Sequence, residues 1–216
     1  MASKDPEIVR LVLGPYQTNC YLVICPETRV ALAIDPAVRT EGIMRAAQQR
    51  TARIEQILLT HMHPDHIAGV AGLKEATGAR VLAHRLDAEL ITSQPVEFKP
   101  AMQTFGIQPS SLPELLPDVL LEGGETLSIG QISGTVIHTP GHTPGGVCLQ
   151  LGHHLFSGDT LFAQGVGRVD LPGGNLEMLL QSLQRLFTLP AETAVYPGHG
   201  PSTTIGAEKE DNPYVR

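Results

Sequence analysis

The chain has 216 residues, of which 42% are hydrophobic and 4% aromatic, and it contains no tryptophan. Its length predicts one domain spanning residues 1–216, with a core built mainly from aliphatic side chains. Fifteen Lys and Arg against 22 Asp and Glu give a formal net charge of −7, which argues against nucleic acid or an anionic membrane as a partner.

Apolar runs rich in β-forming residues alternate with turn-forming segments through the first half of the chain. The predicted strands of this half are 8–13, 19–24, 29–34, 54–60 and 79–84. A helix is expected at about 40–52, with Thr40 as its N-cap, and a second at 67–78 that ends at Gly78. Residues 92–118 are rich in Pro, Gln and Ser and show no period, so we predict a surface loop or lid with a short helix there.

The second half repeats this order of strands followed by a helix. Its predicted strands are 131–139, 145–151, 153–159 and 193–200. The intervening helix begins at Asn175, a favourable N-cap, and carries one apolar stripe that we expect to pack in the core. That stripe consists of Leu176, Leu179, Leu180, Leu183 and Phe187. Two such halves in one chain indicate two sheets with helices outside them.

The cysteines and the amino-terminal stretch bear on the cellular compartment. Three cysteines without a Cys-x-x-Cys pair argue against a disulfide framework or a cysteine zinc site. Cys20 and Cys25 lie five residues apart in a strand-like run, so their side chains should point to opposite faces. The amino terminus lacks the apolar core of a signal peptide, and no stretch approaches membrane-spanning length. Together these features predict a cytoplasmic protein.

Residues 61–66, His-Met-His-Pro-Asp-His, follow a predicted buried strand and form the densest polar cluster in the chain. Pro64 disfavours the helical conformation for His63, so this is not a helical pair of zinc ligands four residues apart. In an extended segment, residues two apart face the same side, so His61 and His63 can reach one metal ion and Asp65 continues that row. His66 points elsewhere, where a second ion can bind. Asp65 can also cap the following helix, which is compatible with metal binding.

Three further segments each place a His or Asp beside glycine in a loop at or near the end of a predicted strand: His142, Asp159 and His199. With the first cluster they supply five histidines and two aspartates, and this mixture of imidazole and carboxylate suits zinc or iron. Two other histidines, His84 and His138, are expected to have structural or ligand-orienting roles.

Over nearly the whole chain, the sequence resembles the metallo-β-lactamase superfamily through one ordered series: His61-x-His63-x-Asp65-His66, His142, Asp159 and His199. The resemblance implies an α/β fold, an αββα sandwich of two mixed β-sheets with helices on the outer faces. It implies a first ion on His61, His63 and His142. It implies a second ion on Asp65, His66 and His199, with Asp159 bridging the two. Asp65 and Asp159 are thereby the catalytic carboxylates.

The cofactors implied by this resemblance are two divalent metal ions, zinc in the first place, with iron or manganese as alternatives. Two such ions can lower the pKa of a shared water toward neutrality, which predicts a hydrolase that needs no serine or cysteine nucleophile. Residues 165–175 and 196–214 resemble short glyoxalase II-like hydrolases, which cleave thioesters such as S-lactoylglutathione. Longer glyoxalase II enzymes have a C-terminal glutathione-binding region, and this chain ends soon after His199, so a high KM is expected.

The main alternative is an iron-dependent persulfide dioxygenase acting on glutathione persulfide, which the chain resembles at the same motifs and at the Gly-Arg-x-Asp stretch 167–170. One iron would then be held by His61, His142 and Asp159. The amino terminus lacks a signal peptide, which disfavours a secreted β-lactamase, and the net charge disfavours a nuclease. A flavodiiron oxygen reductase would have Glu at the position of His63. The complete ligand series argues against a non-catalytic binding module.

Outside the ligand series, three residues are candidates for substrate binding or for orienting a ligand. Arg168 could bind a substrate carboxylate, because a guanidinium matches it in a bidentate fork. Asp170 could orient a metal ligand. For both, a surface salt bridge or turn is the alternative. Tyr196 could line the substrate pocket or pack in the core. The oligomeric state stays open.

Overall fold

The structure is a computed structural model that describes residues 5–93 and 95–215. Residues 1–4 of the amino-terminal stretch considered above lie outside the described residues, as does Gln94 of the predicted loop 92–118. Among the residues that are described, no helix has both the length and the apolar character needed to cross a membrane.

Two six-stranded sheets and a small hairpin contain the strands. The first sheet contains β1 (Glu7–Leu13), β2 (Thr18–Ile24), β3 (Val30–Ile34), β4 (Arg53–Leu58), β5 (Arg80–His84) and β6 (Val119–Leu121). The second contains β7 (Thr126–Ile129), β8 (Ile132–His138), β9 (Val147–Leu151), β10 (His154–Gly158), β13 (Ala194–Pro197) and β14 (Thr203–Thr204). The hairpin is formed by β11 (Leu161–Phe162) and β12 (Gly165–Val166).

The α-helices are α1 (Thr40–Gln49), α2 (Pro64–Ile67), α3 (Val70–Thr77), α4 (Arg85–Thr92), α5 (Lys99–Thr104), α6 (Leu112–Leu115), α7 (Leu176–Leu186) and α8 (Ile205–Asp211). Two 3₁₀ helices, Val96–Phe98 and Pro109–Ser111, precede α5 and α6.

Both sheets are mixed. In the first, strands follow each other in sequence order; β1, β2 and β3 pair antiparallel, and β3 to β6 pair parallel. The second has the order β14-β13-β10-β9-β8-β7, with one parallel pair, β10 and β13. Helices α1 and α3 cover the outer face of the first sheet and α7 that of the second. This arrangement confirms the predicted αββα sandwich.

Strand β2 shows why the two faces of the first sheet are both apolar. All its residues are buried, and alternate side chains belong to different cores. Cys20 packs in the outer core with the helices, and Tyr21 packs in the core between the sheets. The alternation continues to Cys25 on the inner side, because successive side chains in a strand point to opposite faces. The predicted opposite placement of Cys20 and Cys25 is therefore confirmed, and both thiols are free.

The two sheets are joined by backbone hydrogen bonds at one edge. The Asn19 N–H donates to the Gly198 carbonyl at 2.7 Å, and the Val147 N–H donates to the Thr60 carbonyl at 2.8 Å. Thr18 and His199 form an isolated antiparallel bridge at the same edge. Loops that follow strands of either sheet are thus held in register with one another where they meet.

Two helix predictions need correction. Helix α1 begins at Thr40, but the residue that precedes it, Arg39, is in the left-handed conformation, and no side chain caps the helix, so the N-cap assignment to Thr40 is wrong. The helix predicted at 67–78 is divided into α2 and α3. The break lies at Gly69, whose N–H donates to the Pro36 carbonyl, and a Cβ there would lie 2.2 Å from that oxygen. Its predicted end at Gly78 is confirmed.

Residues 95–116, called the wall segment below, are more ordered and more buried than the predicted surface loop. They contain α5, α6 and both 3₁₀ helices. Five apolar side chains of the segment enter the outer core of the first sheet: Phe98, Met102, Ile107, Leu112 and Leu115. The sequence shows no helical period there because each helical piece is too short to display one.

The apolar stripe of α7 is also shifted from its predicted position. The N-cap is Asn175 as predicted, and its side chain accepts a hydrogen bond from the Met178 N–H. Leu179, Leu183 and Leu186 are buried against the second sheet. Leu176 and Leu180, however, are 52% and 37% exposed, because they lie on the flank of that face.

Candidate metal centre

Four loops that follow strands of the two sheets place the seven predicted ligands at one edge of the sandwich. The loop after β4 carries His61, His63, Asp65 and His66, and the other three follow β8, β10 and β13. Because β4 belongs to the first sheet and the other strands to the second, the site lies across both sheets. Side chains at strand ends converge in this way when the sheets share an edge.

The first group consists of His61, His63 and His142, all buried, with ligand atoms within 4.8 Å of one another. Nδ1 of His63 lies 2.9 Å from Nε2 of His142. Nε2 of His61 finds no hydrogen-bond partner among the described residues. Burial, reinforced by the neighbouring imidazoles, holds the pKa values of His61 and His63 well below the ordinary value. Neutral imidazoles with unused lone pairs are the form that binds metal.

The second group consists of Asp65, His66 and His199, whose ligand atoms also lie within 4.8 Å of one another. Nε2 of His66 is 3.3 Å from Nε2 of His199, and Oδ2 of Asp65 is 3.5 Å and 3.3 Å from these two nitrogens. Thr18 donates a hydrogen bond to the same carboxylate oxygen. One carboxylate and two imidazoles therefore face a common point.

Asp159 lies between the two groups. Its Oδ2 is 3.7 Å from Nε2 of His142 and 3.6 Å from Nε2 of His199. Its Oδ1 is 3.5 Å from Nε2 of His66 and has no hydrogen-bond partner among the described residues. The carboxylate therefore reaches ligand atoms of both groups, which is the placement a bridging ligand needs.

The second group concentrates the negative charge of buried carboxylates. Burial alone would lower the pKa of His66, yet the carboxylates of Asp65, Asp159 and Asp35 raise it to about 10. Burial would likewise raise the pKa of Asp65, but His66 and His199 hold it well below its usual range. At neutral pH, protonated His66 therefore offsets part of the charge of the buried carboxylates. A divalent ion would do so with two charges, and the donor set fits it.

A chain of hydrogen bonds behind the site determines which nitrogen of His61 is free. Asp35, buried at the end of β3, accepts hydrogen bonds from the Thr60 N–H at 2.8 Å and the Thr60 hydroxyl at 2.7 Å. Because that hydroxyl has only one proton, its oxygen must accept from Nδ1 of His61, 3.1 Å away. Nε2 of His61 is then unprotonated and faces the site.

The same logic applies to three more ligands. Nδ1 of His66 donates to Asp35 at 2.9 Å, Nδ1 of His142 donates to the Arg168 carbonyl at 2.7 Å, and Nδ1 of His199 donates to the Tyr16 carbonyl at 3.1 Å. Each bond leaves Nε2 as the ligand atom and orients the ring.

Asp35 itself was missed by the sequence analysis. It also forms a compact group with His61 and His66. Its oxygens are occupied by Thr60 and His66, so it orients ligands and does not replace one. The signal was available, because Asp35 follows an apolar strand just as Asp159 does.

A cavity of about 490 Å³ opens onto both ligand groups. Its walls are mainly apolar and come from the wall segment, the β11–β12 hairpin and Leu171. The Phe98 ring lies edge-on to His63 with centroids 5.1 Å apart, and the Phe162 ring lies 6.2 Å from that of His199. Glu97, Tyr16 and Arg168 supply the polar lining beyond the ligands. An aromatic ring therefore flanks each ligand group.

The remaining predicted residues lie at different distances from this cavity. Arg168 lines it, but its guanidinium forms an exposed fork with Asp170, with contacts of 2.7 and 2.6 Å. Tyr196 packs between the sheets, stacked on Phe156 at 5.1 Å, and its hydroxyl lies 3.2 Å from Nδ1 of His154. Tyr196 is thus placed outside the described lining of the cavity.

His84 and His138 stack on each other behind the site, with ring centroids 4.1 Å apart. Nε2 of His138 donates to the Pro144 carbonyl of the loop that carries His142. Nδ1 of His84 accepts from the Leu86 N–H at the start of α4. These contacts are structural, as the sequence analysis expected.

Comparison with protein families gives one match that covers most of the chain. The model described as the metallo-beta-lactamase superfamily matches residues 13–199. Hydroxyacylglutathione hydrolase GloC of Haemophilus influenzae is 33% identical over 206 residues, which is 93% of each chain. The probable metallo-hydrolase YqgX of Bacillus subtilis is 34% identical over 209 residues, covering 95% of this chain and 96% of that protein.

Solved structures show the same architecture. The BLEG-1 B3 metallo-beta-lactamase superposes with a TM-score of 0.85 at 33% identity, covering 97% of this chain and 99% of its own. TTHA1623 in a di-iron-bound form gives 0.80 at 38% identity, covering 95% and 99%. ETHE1 from Myxococcus xanthus gives 0.80 at 31% identity, covering 96% and 83%.

Proposed function

This chain belongs to the metallo-beta-lactamase superfamily as a metal-dependent hydrolase, and from that premise we propose that it cleaves small thioesters of the S-lactoylglutathione type. The observation that carries the proposal is the convergence of seven intact ligand residues on one cavity. The similarity to hydroxyacylglutathione hydrolase GloC supports a thioester as the substrate class. The three free cysteines support a cytoplasmic location, which is also part of the proposal.

We assign the two ligand groups to two divalent ions. His61, His63 and His142 would hold one, Asp65, His66 and His199 the other, and Asp159 would contact both. Imidazole and carboxylate ligands suit zinc, and iron is supported by the di-iron-bound form of TTHA1623. When bound, such ions supply a water of lowered pKa and polarise the thioester carbonyl.

The chain's own residues would position the thioester and keep the site dry. Phe98 and Phe162 flank the ligand groups and exclude water from the reacting carbon. Asp65 stays ionised at neutral pH, so it can accept but not donate a hydrogen bond there. The guanidinium of Arg168, held as a planar fork by Asp170, would bind a substrate carboxylate at the rim.

The test combines elemental analysis with steady-state hydrolysis of S-lactoylglutathione. Zinc-loaded protein should contain two equivalents of zinc and hydrolyse the thioester. His153→Ala is a matched control, because it removes an exposed histidine that lies in a turn. It should keep both properties, and His66→Ala should lose them. Two bound ions without thioester hydrolysis would contradict the substrate assignment.

Iron-dependent oxygenation of glutathione persulfide is the second candidate. It is supported by His61, His142 and Asp159, which offer two imidazoles and a carboxylate, and by the stretch from Gly167 to Asp170. The two candidates differ in what they need from the second ligand group. If iron-loaded protein consumes oxygen with glutathione persulfide and His199→Ala keeps that activity, the dioxygenase is the correct assignment.

A further inference from the structure

Asp87 is a buried carboxylate beside the site that belongs to neither ligand group. It lies in the first turn of α4 and is 0% exposed. Oδ1 accepts a hydrogen bond from the Gly145 N–H at 2.6 Å. Oδ2 accepts from the Met62 N–H at 3.0 Å and from the Thr143 hydroxyl at 2.9 Å. Three donors and the helix N-terminus offset part of the cost of burying this carboxylate.

Two of these donors are sequence neighbours of ligands in the first group. Met62 lies between His61 and His63, and Thr143 directly follows His142. One carboxylate therefore connects the loop that carries two ligands of the first group to the loop that carries the third. The approach is close, because a Cβ at Gly145 would lie 2.7 Å from Oδ1 of Asp87.

The two loops belong to different sheets, and the ligand nitrogens within them must stay a few ångströms apart. Nδ1 of His63 and Nε2 of His142 face each other at 2.9 Å. Two nitrogen lone pairs at this distance repel unless a proton or a cation lies between them. A fixed connection between the loops is what holds such an arrangement together before a metal binds.

We infer that Asp87 is a positioning residue that sets the spacing of His61 and His63 relative to His142, and so determines the affinity of the first metal site. The inference rests on the metal centre proposed above. Asp87 contacts no ligand side chain through its carboxylate and acts through the backbone on either side of the ligands.

The direct test is Asp87→Asn, which keeps the shape of the side chain but replaces one acceptor oxygen with an NH₂ group. If the amide oxygen faces Met62 and Thr143, the NH₂ group opposes the Gly145 N–H. If the oxygen faces Gly145, the NH₂ group opposes the Met62 N–H. The first orientation costs the bond to Gly145 and the second costs the bond to Met62, so either orientation weakens the connection between the loops.

Glu208→Gln is the matched control. Glu208 is also buried, at 2% exposure, and its carboxylate also accepts three hydrogen bonds, from the Gln164 N–H, the Thr203 hydroxyl and the Asn212 amide. None of these donors belongs to either of the two loops that Asp87 joins. The substitution therefore reproduces the loss of a buried carboxylate without touching the loops joined by Asp87.

Zinc affinities are measured by competition with a chelator, starting from the loaded proteins. In Asp87→Asn, one of the two ions should bind about ten- to a hundredfold more weakly, the usual effect of removing an outer partner of a metal site. The other ion should keep its affinity, and Glu208→Gln should keep both. Cobalt-loaded Asp87→Asn should also show an altered visible absorption spectrum, because ligand geometry at one site has changed.

Thr143→Val removes one donor and leaves both backbone bonds, so it should weaken the same ion to a smaller extent. Thr143→Val therefore tests the positioning role of Asp87 if Asp87→Asn does not fold. Unchanged affinity for both ions in the folded variants, or an equal loss in Glu208→Gln, would overturn the positioning role. Wild-type protein that binds zinc but does not hydrolyse the thioester would contradict the proposed function and leave the inference on Asp87 intact.

Discussion

Single hydrogen bonds decide which nitrogen of each histidine can serve as a ligand. The pair Asp35 and Thr60 forces Nδ1 of His61 to donate, and two backbone carbonyls do the same for His142 and His199. The candidate ligand residues could be selected from the sequence because four strand-end segments concentrate His and Asp. Their tautomers could not, because the partners lie far away in the sequence, on loops whose approach depends on the packed fold.

At the scale of single residues, we expect substitution of Asp159 to reduce activity more than substitution of His199. Asp159 reaches ligand atoms of both groups, whereas His199 belongs to one. We expect Asp159→Ala to reduce kcat/KM by about 10³-fold or more, equivalent to about 4 kcal/mol, and His199→Ala to reduce it less. Steady-state kinetics and zinc content of both variants provide the measurement. Equally mild losses would contradict the bridging placement.

Arg168 has two separate contributions that mutation can divide. Its carbonyl oxygen orients His142 and is kept in any substitution, whereas its side chain lies at the cavity with the guanidinium paired to Asp170. Arg168→Ala should therefore raise KM about tenfold and leave kcat and zinc content nearly unchanged, the pattern of lost uniform binding. Arg168→Lys should recover KM only in part, because an ammonium cannot form the planar fork. An unchanged KM would reduce the pair with Asp170 to a surface salt bridge.

Among the secondary-structure elements, α8 holds the β11–β12 hairpin in place. Glu208 accepts from the Gln164 N–H, and Asn212 donates to the Gly165 carbonyl, so both attach the β11–β12 hairpin to the helix. Phe162 in that hairpin lines the cavity. Apart from Tyr196 and His199, the sequence stretch 196–214 was noted only for its resemblance to glyoxalase II-like enzymes, and these hydrogen bonds, called the clamp below, give Glu208 and Asn212 a structural role.

Disrupting the clamp should affect both stability and substrate binding. We expect Glu208→Gln to lower the free energy of unfolding by about 1–3 kcal/mol, because a hydrogen-bonded buried carboxylate is replaced by an amide with one acceptor fewer. KM should rise as the hairpin loosens. Lys209→Ala, an exposed change on the same helix, should alter stability by less than about 0.5 kcal/mol. Denaturant unfolding and steady-state kinetics test this; equal effects of the two changes would refute the clamp.

Strand positions were easier to predict than helices in this chain. Strands β2 and β3 are short apolar runs between turn residues, and their length and their β-branched residues favour a strand over a buried helix. The prediction for the wall segment was wrong because its helical pieces are short and interrupted, and their burial depends on contact with the outer face of the first sheet. Helix α7 has a clear period, but its exact orientation depends on packing against the second sheet.

At the scale of the whole molecule, the candidate metal ligands come from both sheets. The first ligand group combines the loop after β4 with the loop after β8, and the second adds the loop after β13. Ions bound there would cross-link the sheets in the folded state only. A ligand that binds only the folded state stabilises it by about 2.7 kcal/mol at a hundredfold excess over Kd, so chelation should lower Tm.

The difference in Tm between zinc-loaded and chelated protein should depend on pH. In metal-free protein the raised pKa of His66, about 10, means that its protonated form contributes stability that is complete below about pH 6.5 and is lost as the pH rises toward about 10. Metal replaces this proton, so bound zinc gains affinity over the same interval. The difference in Tm between zinc-loaded and chelated protein should therefore grow from about pH 6.5 upward. Calorimetry at several pH values measures it, and a constant difference would contradict the charge balance described.

The wall segment supplies one side of the cavity, yet it contributes none of the seven ligands. One side of the cavity and the candidate metal ligands are thus encoded in separate stretches of the gene. Recombination within residues 95–116 should therefore change that side of the cavity, provided that the five apolar anchors of that stretch are kept. For protein engineering, the segment can serve as an exchangeable cassette. Grafting related sequences into it should yield variants with differently shaped cavities around the same seven candidate ligands.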